Sequence, residues 1–129
     1  NIKNELKQII SINKKSLKTL EKIIHPLVRR ELKKFSYKNK RKSILIFEIP
    51  LLMESKLMNY YDKIIFVNSK KTLRLKRYLR KGKSKRIFNL LNKRQLPPAK
   101  KIKFCDYVIN NNRSLKNLKK NVKLIKNKI

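Results

Sequence analysis

Apolar residues recur at helical spacing through the opening of the chain: Ile9 and Ile10, Leu17, Leu20, then Ile23 and Ile24. Asn13 and Ser16 are both suited to cap a helix. Pro26 interrupts the pattern. A residue before proline is pushed away from helical angles, so one helix is predicted to end at His25 and another to open at Pro26. The second carries Leu27, Val28, Leu32 and Phe35 on one face and frays through the polar stretch 36–42. The periodicity then changes. Residues 43–50 form a short apolar run rich in β-branched side chains and closed by Pro50, which predicts a parallel strand buried on both faces. Residues 63–68 and 106–110 are two more runs of this kind.

Between the second and third runs lie two basic helical segments, 70–81 after Ser69 and 85–95 after Ser84. Gly82 separates them, and Pro97-Pro98 ends the second. A last helix is predicted from Ser114, burying Leu115, Leu118, Val122 and Ile125. Strands alternating with helices predict an α/β fold with a parallel sheet. No internal repeat is present, and the Lys/Asn bias runs through the whole chain.

Composition changes this picture little, but charge demands an account. The 129 residues hold 38 basic and 7 acidic side chains, a net charge of +31. Lysines displace counterions condensed on phosphates, so a nucleic-acid partner is one reading. However, 29 of the cations are Lys and 9 are Arg, whereas bidentate recognition of bases and phosphates favours Arg. Lys, Asn and Ile also share A/T-rich codons, so a genome short of G and C gives any of its proteins this composition. The lysines occupy the outward positions of nearly every segment, where a solvated face is the ordinary expectation. A small basic nucleic-acid-binding protein therefore stands as the alternative function, with no helix-turn-helix, zinc or aromatic stacking signature behind it. No apolar run reaches the roughly 18–20 residues that span a bilayer, which argues against a membrane partner. The lone Cys105 permits no internal disulfide, fits a cytoplasmic setting, and sits in an apolar run as a buried, inert thiol.

One segment stands out chemically. Glu48 is the acidic residue at the end of the first apolar run and is followed by Pro50-Leu51-Leu52 and Glu54. Open α/β sheets place ligand chemistry at the carboxyl ends of their strands. A side chain that simply points outward from the strand edge is the competing account.

Three blocks lie in a telling order: Leu20-Glu21-Lys22-Ile23-Ile24-His25-Pro26-Leu27-Val28-Arg29, Glu48-Ile49-Pro50-Leu51-Leu52-Met53-Glu54, and Asp106-Tyr107-Val108-Ile109-Asn110-Asn111. In order and spacing they resemble dephospho-CoA kinase, over nearly the whole chain. That family transfers the γ-phosphoryl of ATP to the ribose 3′-hydroxyl of dephospho-CoA. The resemblance implies a P-loop kinase-type parallel sheet of strand order 2-3-1-4-5, of which this chain carries the last three strands. It implies a helical substrate-binding segment at residues 1–42, the remainder of the core at 43–129, and a mobile lid at about 77–97. ATP and Mg²⁺ are the implied co-substrate and cofactor, dephospho-CoA the partner, and any nucleic-acid contact is expected to be non-specific.

Carried over by position, His25 and Arg29 would help hold dephospho-CoA, Arg29 through a fork suited to phosphate. Glu48 matches a strand-end Asp that would orient metal-bound water or the substrate hydroxyl; here it is longer by one methylene. Glu54 matches the family's following Glu, on the substrate side. Arg77 and Arg80 match the lid entrance, where a guanidinium can neutralise a transferring phosphoryl. Asn110 and Asn111 match the loop against which adenine packs, although a plain turn also suits asparagines. Lys81 stands where the family has an acidic residue, and Leu91 where it has a lid Arg, with Arg86 and Arg94 nearby. A P-loop needs glycines so that backbone N–H groups can cradle phosphates, and the single glycine, Gly82, lies in the lid. The loop, the first two strands and the catalytic-base Asp are thus expected ahead of Asn1, and the 129 residues alone are expected to be inactive.

Overall fold

The computed structural model describes residues 14–129. The apolar positions Ile9 and Ile10 and the possible cap Asn13 lie outside the described residues. The chain divides into two compact units, Asn1–Glu48 and Ile49–Ile129.

In the first unit a single 25-residue helix, α1, runs from Lys14 to Lys38 with Pro26 inside it. The predicted break at His25 does not occur. Proline removes one helical hydrogen bond and crowds the preceding turn, at a cost of about 3 kcal/mol, but residues 22–24 are exposed, so water can satisfy the carbonyl left without a donor. Long helical stretches on both sides then carry α1 through. Beyond α1, the Phe35 ring meets Phe47 edge-on, centroids 5.5 Å apart. Residues 44–49, predicted as a strand buried on both faces, form no ladder, and Ile46 is 83% exposed. Their exposure nonetheless alternates residue by residue, as a strand's does. A strand exists as an element only when a neighbouring strand takes its N–H and C=O groups in a ladder, and no such ladder forms over 44–49 among the described residues.

The second unit has α/β architecture. Strand β1 (Ile65–Asn68) pairs in parallel with β2 (Tyr107–Asn110), in the register Ile65↔Tyr107 to Asn68↔Asn110. Adjacency of these two runs is what the implied strand order requires of its last two members. Parallel strands need a long crossover, supplied here by α2 (Lys71–Arg80), α3 (Lys85–Arg94) and the short α4 (Pro98–Ile102). Pro97-Pro98 ends α3 as predicted but also opens α4, since proline suits a first helical position. Ser84 and Ser114 act as caps, their hydroxyls accepting the N–H groups of Ile87 and Asn117. Gly82 closes α2 at φ +68°, a left-handed conformation that glycine adopts without strain.

The final helix, α5 (Leu115–Lys126), follows β2. Its predicted buried stripe is only half realised. Leu118 and Ile125 are half-buried, while Leu115 and Val122 remain exposed. Helix α5 contacts β2, and a two-stranded sheet is too narrow to cover a full helix face. The core of this unit consists of Met53, Phe88 and Ile109. At the amino ends of the strands, Asp106 accepts hydrogen bonds from the Ile64 N–H at 2.8 Å and the Lys63 ammonium at 3.1 Å. The backbone donor first, and then Lys63, hold its carboxyl below the ordinary range.

Candidate functional site

In the first unit, the uninterrupted helix sets His25 and Arg29 one turn apart on one face of α1. His25 is half-buried and Arg29 exposed. A helix break at His25 would have separated them, so the continuity of α1 makes this pair. Glu48 closes the unit as an exposed carboxylate.

In the second unit, the carboxyl ends of both strands converge on one hydrogen-bonded junction. Asn68 donates its side-chain amide to the Asn110 side chain at 3.1 Å. The Asn68 carbonyl accepts the Asn111 N–H at 2.8 Å. Asn112 in turn accepts the Lys70 N–H at 2.8 Å through its side-chain oxygen. Ser69, just ahead of α2, sits buried beneath this junction and donates to the Asn111 carbonyl at 3.1 Å. Lys70 occupies the cap position without a side-chain bond, because Asn112 serves its N–H instead.

Arg77 joins α2 to this junction. Its Nη1 and Nη2 donate to the Asn111 carbonyl at 3.1 and 3.2 Å, with Ser69 Oγ 3.4 Å from Nη1. One turn earlier, Arg74 donates Nε to the Ser69 carbonyl at 3.2 Å. Two guanidiniums thus stand at the carboxyl ends of a parallel pair, where open α/β sheets receive ligands. The structure brings Arg77, Asn110 and Asn111 together; Arg80 is exposed farther along α2. A cleft between α2 and α3, of about 320 Å³, is walled by Tyr78, Phe88 and Leu91 with Arg74, Arg77 and Gln95 at its polar side. Tyr78 and Phe88 fasten the helices, ring centroids 5.6 Å apart.

Glu54 lies in the turn that follows Pro50. Its Oε1 accepts the Leu96 N–H at 2.7 Å and the Lys101 ammonium at 2.9 Å. The two side chains are 14% and 8% exposed, and Oε2 is buried with no hydrogen-bond partner among the described residues. Burial pushes this carboxyl up, but the bonds from Lys101 and Leu96 outweigh it and hold Glu54 below its ordinary value. Lys101 was not singled out from sequence. One lysine among 29 carries no local mark, and its partner is 47 positions away. Ser69 carries no mark in the sequence beyond preceding a basic helical segment. Cys105 is half-buried, donates to the Lys101 carbonyl at 3.1 Å, and has its thiol pushed up by burial, as befits an inert group.

A family model for dephospho-CoA kinase (CoaE) matches residues 2–117. The dephospho-CoA kinase of Fusobacterium nucleatum is 37% identical over 121 residues, covering 93% of this chain and 62% of that protein. That of Bartonella quintana is 34% identical over 116 residues, covering 88% and 60%. The chain thus spans about 60% of the length of the curated relatives it matches. The crystal structure of TT1252 from Thermus thermophilus superimposes with a TM-score of 0.74 at 26% identity, over 98% of this chain and 66% of that one. The α/β fold and the order of the His25–Arg29, Glu48–Glu54 and Asp106–Asn111 blocks agree with that match, and the chain belongs to the dephospho-CoA kinase family.

Proposed function

We propose that these residues work in an ATP-dependent kinase that phosphorylates the ribose 3′-hydroxyl of dephospho-CoA in the cytoplasm, completing coenzyme A. The observation that supports this reading best is the grip of Arg77 on the Asn111 carbonyl. It fixes a cation of the lid segment beside the loop at the carboxyl ends of β1 and β2. Adenine would pack against Asn110 and Asn111, with Arg77 and Arg80 presenting positive charge towards the phosphates. His25 and Arg29 would take dephospho-CoA along one face of α1. Glu48 would orient the attacking hydroxyl, whose proton passes to the family's catalytic-base Asp; the new O3′–P bond forms as the bond from the γ-phosphorus to the bridging oxygen breaks, and ADP leaves. Among the described residues no three His, Cys, Asp or Glu side chains converge. Mg²⁺ would come with the nucleotide, held mainly by its phosphates, and would offset their negative charge.

The donors of Glu54 are the protein's own backbone and Lys101, so its place on the substrate side has less support than that of His25 and Arg29. The test joins the 129 residues to the remaining portion of the Fusobacterium nucleatum relative and measures coenzyme A formation with ADP release. Glu48→Gln in that chimera is expected to lower kcat by about 10²–10³, the usual effect of removing one oriented electrostatic group, with an unchanged melting temperature. A folded chimera that makes no coenzyme A, while the relative does, would overturn the reading. So would a Glu48→Gln variant that melts earlier but turns over normally.

A further inference from the structure

Helices α2 and α3 form an arm that leaves the core after β1 and returns at α4. At its entrance the arm is held by Arg74 on the Ser69 carbonyl and Arg77 on the Asn111 carbonyl. At its tip, Gly82 stands at φ +68° with open space where a Cβ would be. At its exit, Gln95 ends α3 in extended backbone (φ −84°, ψ 139°) and the chain proceeds through Leu96 into Pro97-Pro98. Two prolines in succession make that stretch stiff. A single oxygen, Glu54 Oε1, receives a donor from either side of it: the Leu96 N–H before the prolines and the Lys101 ammonium after them. Glu54 itself belongs to neither arm nor α4 but to the turn after Pro50, whose Met53 is buried in the core.

A pair kept for stability alone would be an unusual choice here. Taking both charges out of water costs much of what their attraction returns, and Oε2 is left buried with no partner among the described residues. What the arrangement does supply is a fixed point. We propose that Glu54 is the positioning residue of the arm: its Oε1 pins the exit of α3 to the core, so that the arm swings about a defined pivot instead of drifting. Lys101 keeps the carboxylate charged and aimed, and the backbone N–H of Leu96 is the group that is held. The pivot stands on the geometry alone; its consequence for catalysis rests on the kinase reading.

The experiment compares two double variants of the 129-residue chain, both lacking the ion pair. Glu54→Gln/Lys101→Met keeps an amide oxygen for the Leu96 N–H, whereas Glu54→Leu/Lys101→Met removes the acceptor. Hydrogen exchange read by mass spectrometry is expected to be at least tenfold faster across residues 85–96 in the second variant only. In the chimera with the Fusobacterium nucleatum relative, the second variant is expected to lower kcat tenfold or more, since small misplacements of positioning groups cost up to about 10²-fold. The first is expected to turn over at least fivefold faster than the second. Leu96→Pro gives the same comparison should the Leu variant melt below the assay temperature: it removes the donor and leaves Glu54 and Lys101 intact, and the extended Gln95 already has the backbone that a following proline requires. Equal exchange in the two double variants overturns the pivot. Faster exchange with unchanged turnover in an active chimera overturns the positioning role. An inactive parent chimera sinks the kinase reading instead, and exchange alone then decides the pivot.

Discussion

Removing the guanidinium of Arg77 tests the junction at the strand ends most directly. Two of its N–H groups converge on one acceptor, the Asn111 carbonyl, at 3.1 and 3.2 Å, while the 3.4 Å approach to Ser69 Oγ lies at the edge of hydrogen bonding. A hydrogen bond to a charged group contributes about 1.5–3 kcal/mol net. Two donors sharing one oxygen do not add in full, and the exposed guanidinium is partly hydrated, so the low end applies. The Asn111 carbonyl also keeps Ser69 Oγ at 3.1 Å after the change, so no orphaned acceptor adds to the loss. Arg77→Ala is therefore expected to cost about 1.5–2 kcal/mol, a fall of roughly 6–8 °C at about 4 °C per kcal/mol for a chain of this size. Arg77→Lys should recover about half, since one ammonium cannot reproduce the fork. A double-mutant cycle with Ser69→Ala should show a coupling of about 0.5 kcal/mol or more, as expected for side chains that share an acceptor. In the chimera, both Arg77 variants should raise the KM for ATP. Arg77→Ala melting within 1 °C of the parent, with strict additivity to Ser69→Ala, would refute the reasoning.

Three further outcomes follow from other parts of the molecule. Because Glu54 is held below its ordinary carboxyl value, the folded state binds fewer protons there than the unfolded chain. Its stabilisation is complete above about pH 4.5 and is lost as pH falls through the folded value; urea melts between pH 2.5 and 7 should show an acid limb that Glu54→Gln flattens, with the Asp106 contribution of the same sign left in place. Lys56 sits at φ +55° in the turn where the Leu57 N–H reaches back to the Leu52 carbonyl at 3.1 Å; a side chain there costs roughly 1 kcal/mol, so Lys56→Gly should raise the midpoint of a denaturant melt instead of lowering it. Pro26→Ala should restore the hydrogen bond missing from α1 and stabilise it by up to about 3 kcal/mol, visible as slower loss of far-ultraviolet helical signal on heating.

Much of the secondary structure could be read locally. The runs at 63–68 and 106–110 became strands because β-branched side chains suit a pleated backbone, and Ser84, Ser114 and Gly82 mark helix ends through their own chemistry. Pro26 does not break α1, because the outcome depends on the length of helix on either side and on water reaching the freed carbonyl and not on that residue alone. The half-exposed stripe of α5 has a related cause: periodicity shows which face is apolar, not whether anything is wide enough to cover it.

Residue type and near neighbours set the alternation of strands and helices and the order of the blocks that resemble dephospho-CoA kinase, and it is through that resemblance that His25, Arg29, Glu48, Glu54 and Arg77 become candidates. Tertiary structure alone decided which of them meet. Glu54 finds Leu96 and Lys101 more than 40 positions away, and Arg77 finds Asn111 across 34. Neither partner differs locally from the other backbone amides, lysines and asparagines of the chain. The ends of β1 and β2 become a site only when the parallel register sets Asn68 against Asn110, and that register depends on the whole crossover between them. Contacts of this range carry no periodicity, so they are written in the fold and not in any window of the sequence.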